Sequence, residues 1–104
     1  MADPVIGRRV ALNDERPPAY PATMEPGDYY GPYWWSGRMM VTFLLPIAHN
    51  AEPPEAHYPH SVASPPHVFR ECEDGSLEIR ESIAAGSPVY WHGYLDEGHV
   101  WREV

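Results

Sequence analysis

Between His67 and Val104 apolar and polar residues alternate in short runs, and each run closes on a turn residue. Successive side chains of a β-strand point to opposite faces, so this alternation builds a sheet with one buried and one wet face. From Ser76 onward, Leu77, Ile79 and Ile83 share one face, and Glu78, Arg80 and Ser82 share the other. Only Glu81 interrupts the apolar row. Asp74-Gly75, Gly86-Ser87-Pro88 and Asp96-Glu97-Gly98 punctuate the segment, and glycine supplies the positive φ that tight hairpins require. The pattern predicts a β-meander whose core holds Leu77, Ile79, Ile83, Val89 and Trp91, joined by Val41 from an earlier strand.

Helices are excluded by the same reading. Thirteen prolines and eight glycines are spread so that no ten-residue window keeps apolar residues at helical spacing free of both. Arg38 to Leu45, RMMVTFLL, is a further strand; both of its faces are largely apolar, which suits a central position, and Pro46 ends it because proline donates nothing to a ladder. The expected fold is all-β: a small single-domain antiparallel β-meander or sandwich of about five strands, with a Pro-rich extended N-terminal arm.

The arm is expected over residues 1–33 and the small β domain over residues 34–104. Pro4, Pro17, Pro18, Pro21, Pro26 and Pro32 leave little room for a ladder, although Val5 to Leu12 could pair as a short edge strand. The PPAYP segment favours polyproline II, an exposed recognition conformation. Asp28 to Trp35, DYYGPYWW, carries five rings in eight residues and must fold onto the sheet or into a neighbour. Packing on the chain's own sheet is the favoured reading of that stretch, since the sheet needs a cover; if a partner is bound there, Tyr20, Tyr29, Tyr30, Tyr33, Trp34 and Trp35 are the candidate partner-binding residues. The body from Trp34 onward is small and has no disulfide staple, so the arm or a homo-oligomer is expected to supply missing burial.

Fifteen acidic against seven basic residues give a formal net charge of −8. That charge opposes binding to phosphate backbones and anionic bilayers, so neither nucleic acid nor membrane is expected as a partner. No apolar run reaches membrane-span length, the first residues lack the pattern of a secretion signal, and a cytosolic protein is expected. Every basic residue is Arg, and Lys and Gln are absent, a usage that points to a GC-rich bacterial or phage genome.

The single cysteine, Cys72, rules out an intramolecular disulfide and the four-cysteine zinc frameworks. Its neighbours Glu71, Glu73 and Asp74 make it a poor nucleophile, at what reads as a solvated hairpin tip. Ala48 to Pro66 is expected to be a Pro-interrupted loop, and it concentrates His49, His57 and His60, with His67 just after it, without a standard zinc spacing. No metal and no cofactor are expected; if a metal is bound, His92 with His49, His57 and His60 would be its ligands. His92 and His99 flank the last turn beside Tyr94 and Glu97. With no glycine-flanked Ser nearby they supply no nucleophile, and no catalytic residue is assigned.

The run Ser76-Leu77-Glu78-Ile79-Arg80-Glu81-Ser82-Ile83, followed by His92, Tyr94, Leu95, Gly98, Val100 and Trp101, resembles a family of small uncharacterised phage and bacterial proteins. In that family a Leu-Ser-Pro-Ser-Ile-like strand precedes a His-x-aromatic hairpin ending Gly-x-Val-x-Trp. The resemblance covers the C-terminal forty or so residues and implies a β fold and a phage-related origin. The family's cysteines are absent here: Pro46 to Asn50 stand where its cluster would follow the first strand, and Trp91 precedes His92. The function this implies is that of a non-enzymatic protein-protein interaction protein, accessory or virion-associated, docking by its arm and aromatic stretch. A small metal-binding module and a hydrolase-like enzyme are the alternatives.

Overall fold

A computed structural model describes residues 4–10, 24–47, 58–86 and 89–104. The fold is all-β, and the described residues contain no helix. Nine strands follow one another: β1 (Val5–Ile6), β2 (Arg8–Arg9), β3 (Asp28–Trp35), β4 (Arg38–Phe43), β5 (His60–Ser64), β6 (Val68–Glu71), β7 (Leu77–Ala85), β8 (Trp91–Asp96) and β9 (Val100–Glu103). They form a five-stranded sheet in the order β1-β9-β8-β7-β6 and a four-stranded sheet in the order β2-β3-β4-β5. The expected meander is β6 to β9, each strand antiparallel to the next.

The N-terminal strand passes from one sheet to the other. Val5 pairs with Trp101 at the edge of the larger sheet, and Arg8 pairs with Asp28, in parallel, at the edge of the smaller. Gly7 is the crossing point, and its N–H donates to the His99 carbonyl at 2.7 Å. A Cβ there would stand 2.0 Å from the Gly27 carbonyl oxygen, so only glycine lets the two backbones approach this closely. The expected boundary after residue 33 falls inside β3, and the edge strand suspected between Val5 and Leu12 is two short strands. Residues 11–23 lie outside the described residues.

Trp101 joins the sheets at the centre of the core. Its ring lies 5.3 Å from Phe43, 5.8 Å from Trp91 and 6.1 Å from Tyr29, and its indole N–H donates to the Gly27 carbonyl at 2.7 Å. Around it are buried Val41, Leu45, Leu77, Ile79, Ile83, Ala85 and Leu95. Five of the six predicted core residues are thus in place. The sixth, Val89, is 55% exposed, because it stands ahead of β8 rather than within its alternation.

Two irregularities explain where the period of two fails. Between Ile79 and Ile83, four residue steps on β7 face two on β8, and Glu81 takes φ 67° on the exposed side. Both isoleucines stay inward because the extra residues come as a pair. In β3 the register shifts between Tyr30 and Tyr33, at Gly31 (φ 121°) and Pro32. A proline that would break a regular ladder sits where the ladder is already interrupted.

The outer face of the larger sheet carries alternating charges: Arg70 pairs with Glu78, Glu78 with Arg80, Arg80 with Asp96, and Asp96 with Arg102. Arg102 also lies over the Tyr94 ring, 4.5 Å from its centroid.

Candidate functional site

β3 links two chemically different ends of the molecule. At its start, Tyr29 is fully buried and its hydroxyl is held on both sides: the Leu77 N–H donates to it at 3.1 Å, and it lies 2.7 Å from His99 Nδ1. Burial, the larger influence, pushes the Tyr29 phenol up from its ordinary value, against the Leu77 N–H, which favours the anion. With Leu77 donating, the phenol proton is free to bond His99 Nδ1.

Around this pair the two turns at that end of the meander are tied together. Asp74 Oδ1 accepts from the Ser76 N–H at 2.9 Å and from its hydroxyl at 2.5 Å, while Ser76 Oγ accepts from the Gly98 N–H at 2.8 Å. The Ser76 bonds hold the Asp74 carboxyl below its ordinary range. Gly75, at φ 88°, makes the turn in which these groups converge. The result sets Cys72, Asp74 and Glu97 together, with their ligand atoms all within 4.8 Å of one another.

Arg9 closes the same end from the other sheet. Its guanidinium forks onto Glu71 with two bonds of 2.7 Å and also donates to the Gly31 carbonyl at 2.8 Å and the Gly75 carbonyl at 3.1 Å. Arg9 in turn holds the Glu71 carboxyl below its ordinary range. Arg8 makes a second forked pair with Asp28, which is buried.

At its far end β3 turns through Ser36 (φ 54°) and Gly37 (φ 82°) into β4. Two consecutive positive φ values are the requirement of a two-residue hairpin turn whose twist matches its strands. Trp34 faces Met39 across the pair and Trp35 faces Arg38, so the two rings point to opposite faces of the hairpin tip. They are 65% and 46% exposed. At the usual strand rise the tip lies about 20 Å from Tyr29.

Of the six aromatic candidates, Tyr29, Tyr30 and Tyr33 are buried and present no ring to a partner. Tyr30 and Tyr33 stack at 5.4 Å, and the Tyr33 hydroxyl bonds to Thr42, which in turn meets Ser61 at 2.7 Å. Tyr20 lies outside the described residues, as do His49 and His57. The two remaining candidate ligands occupy different places. His60 stacks on Phe43 and sits 3.4 Å from the Tyr90 hydroxyl, whereas His92 Nε2 lies 2.8 Å from Ser82 Oγ on the outer face of the larger sheet. His67 reaches the Ser82 carbonyl at 3.3 Å, and its Nδ1 is buried without a partner. His92 and His99, which flank the last turn, turn to Ser82 and Tyr29 respectively, and Tyr94 is taken up by Arg102.

The grouping of Cys72 and Asp74 with Glu97 is the feature that sequence reasoning missed. A signal for it existed, because the first and third turns of a four-stranded meander lie at the same end. No family model matches the chain, and no curated protein or solved structure matches it.

Proposed function

We propose that this is a non-enzymatic interaction protein that docks on a partner protein through Trp34 and Trp35, in the phage-related setting that its sequence resemblance implies, as an accessory or virion-associated protein. The observation that carries the reading is a contrast in burial. Trp91, Trp101, Phe43, Tyr29, Tyr30 and Tyr33 are packed away, while the two tryptophans of the hairpin tip are left in water. Leaving such rings exposed forgoes roughly 1.5 to 3 kcal/mol each, and exposed tryptophan is favoured where a partner's pocket completes the burial.

The partner is a different protein, with an apolar cleft and a basic rim. A net charge of −8 on this chain repels a second copy and steers a cationic surface toward it. Two rings on opposite faces of one hairpin fit the two walls of a cleft. Arg38, beside Trp35, is bonded to the Pro65 carbonyl, which ties the tip to the turn after β5.

The test uses the purified chain as bait for a displayed random-peptide library, with native mass measurement in parallel. Expected are apolar, Arg/Lys-rich binders whose affinity falls with salt and is lost in Trp34→Ala/Trp35→Ala, together with a monomeric parent. Binders indifferent to both substitutions, or a dimer that the double variant dissolves, would overturn the reading.

A further inference from the structure

We propose that Cys72, Asp74 and Glu97 form a binding site for a divalent cation of the zinc class. The three residues come from two separate turns. Cys72 and Asp74 precede β7, and Glu97 lies between β8 and β9. Nothing in the chain order makes them neighbours except the meander and the Ser76 hydroxyl that ties the Gly98 N–H to the Asp74 carboxyl.

The thiol is what separates this group from an ordinary cluster of surface acids. Cys72 is 7% exposed, whereas Asp74 and Glu97 are exposed. The thiol makes one long hydrogen bond, donated to the Arg70 carbonyl with Sγ 3.8 Å from the oxygen, and among the described residues no N–H or O–H donates to the sulfur. The sulfur thus keeps acceptor capacity, with oxygens of Asp74 and Glu97 within 4.8 Å of it. Each carboxylate retains free capacity: Ser76 uses Asp74 Oδ1 and leaves Oδ2, and Glu97 has only a loose 3.9 Å pairing with Arg70.

The donor set selects the metal. One thiolate with two carboxylate oxygens is too soft for calcium or magnesium, which take oxygen alone, and suits zinc, which takes both. Tetrahedral zinc, with bonds of about 2.0 to 2.3 Å, holds its ligand atoms roughly 3.3 to 3.7 Å apart. Ligand atoms here lie within 4.8 Å of one another, so the widest pair closes by about 1 Å on binding, which the exposed Glu97 side chain can supply. Three protein ligands leave a fourth position for water. Binding displaces the thiol proton, and the cation offsets the negative charge gathered at the tip.

The test titrates metal-free full-length protein with Zn²⁺ by calorimetry and with Cd²⁺ by the ultraviolet thiolate-to-metal charge-transfer band. Expected is one ion per chain, with the band removed by Cys72→Ser. Glu97→Gln is the decisive variant, because Glu97 is 58% exposed and its loss leaves the metal-free melt unchanged. It should weaken Zn²⁺ binding tenfold or more, while His92→Ala leaves it untouched. Absence of saturable binding overturns the proposal. So does parent-like affinity in Glu97→Gln, the mark of an adventitious ion on the thiol alone, or loss of binding in His92→Ala, which would move the site to the histidines.

Discussion

Replacing Arg9 with alanine should cost far more than replacing the carboxylate it pairs with. Glu71 is 62% exposed, so in water its ion pair with Arg9 is worth at most ~1 kcal/mol, and Glu71→Gln should lose no more than that. Arg9 does more than pair. It is 21% exposed and supplies charged donors to two backbone carbonyls, Gly31 in one sheet and Gly75 in the other. The exposed Gly75 carbonyl can turn to water, but orphaning the partly buried Gly31 carbonyl costs roughly 1 to 3 kcal/mol, so Arg9→Ala should lose about 2 to 3 kcal/mol in all. For a domain of this size that lowers the melting temperature on the order of 10 °C. Arg9→Lys keeps the charge without the planar fork and should recover less than half of the loss. Urea titration of the three variants measures the losses, with an unchanged slope confirming that only stability has moved. Equal losses in Arg9→Ala and Glu71→Gln would refute the reasoning, since the carbonyl bonds would then contribute nothing.

Ile79→Asp buries a charge in the core and should unfold the domain, whereas Val89→Asp, on an exposed residue, should melt with the parent; circular dichroism of the pair checks the assignment of faces. Glu71, Asp74 and Glu78 are each held below their ordinary values, by Arg9, Ser76 and Arg70 respectively. The unfolded chain therefore binds protons more tightly than the folded one. Their stabilisation is full above the ordinary values of 4.5 for Glu and 3.8 for Asp, and is lost as the pH falls through the lower folded ones. Melting temperatures that stay level through that acid range would show that these contacts contribute nothing to stability.

The meander was legible because each of its strands repeats one rule, apolar inward and polar outward, between turns whose glycines announce them. Glu81 looked like a defect in that rule. It is a bulge that leaves Ile79 and Ile83 on the same face. β3 was harder, since Pro32 argues against a ladder and only a local register shift admits it. Packing of its rings on the sheet was the favoured reading, but five rings in eight residues cannot reveal that the three tyrosines go inside and the two tryptophans stay out. The smaller sheet recruits Arg8 and Arg9 by a parallel pairing across many residues, and local pattern does not encode such a pairing. The tip group failed for a similar reason. The acidic run around Cys72 reads as solvent-facing until the turn carrying Glu97 is laid beside it.

The strand that crosses at Gly7 also sets a schedule for folding. Val5 finds its partner at Trp101, so β1 joins the larger sheet only after β2 to β8 have been made. Until then the apolar sides of β3 and β4 have only β6 to β8 to meet, and Trp101, which packs between the sheets, does not yet exist. The hairpins within each sheet can pair as they are made, but closure of the core must wait for β9. Pairings so distant along the chain place such a domain among the slower folders of its size. A ribosome stalled before β9 would carry a chain open to proteolysis, and release of the last strand would convert it to a resistant one in a single step.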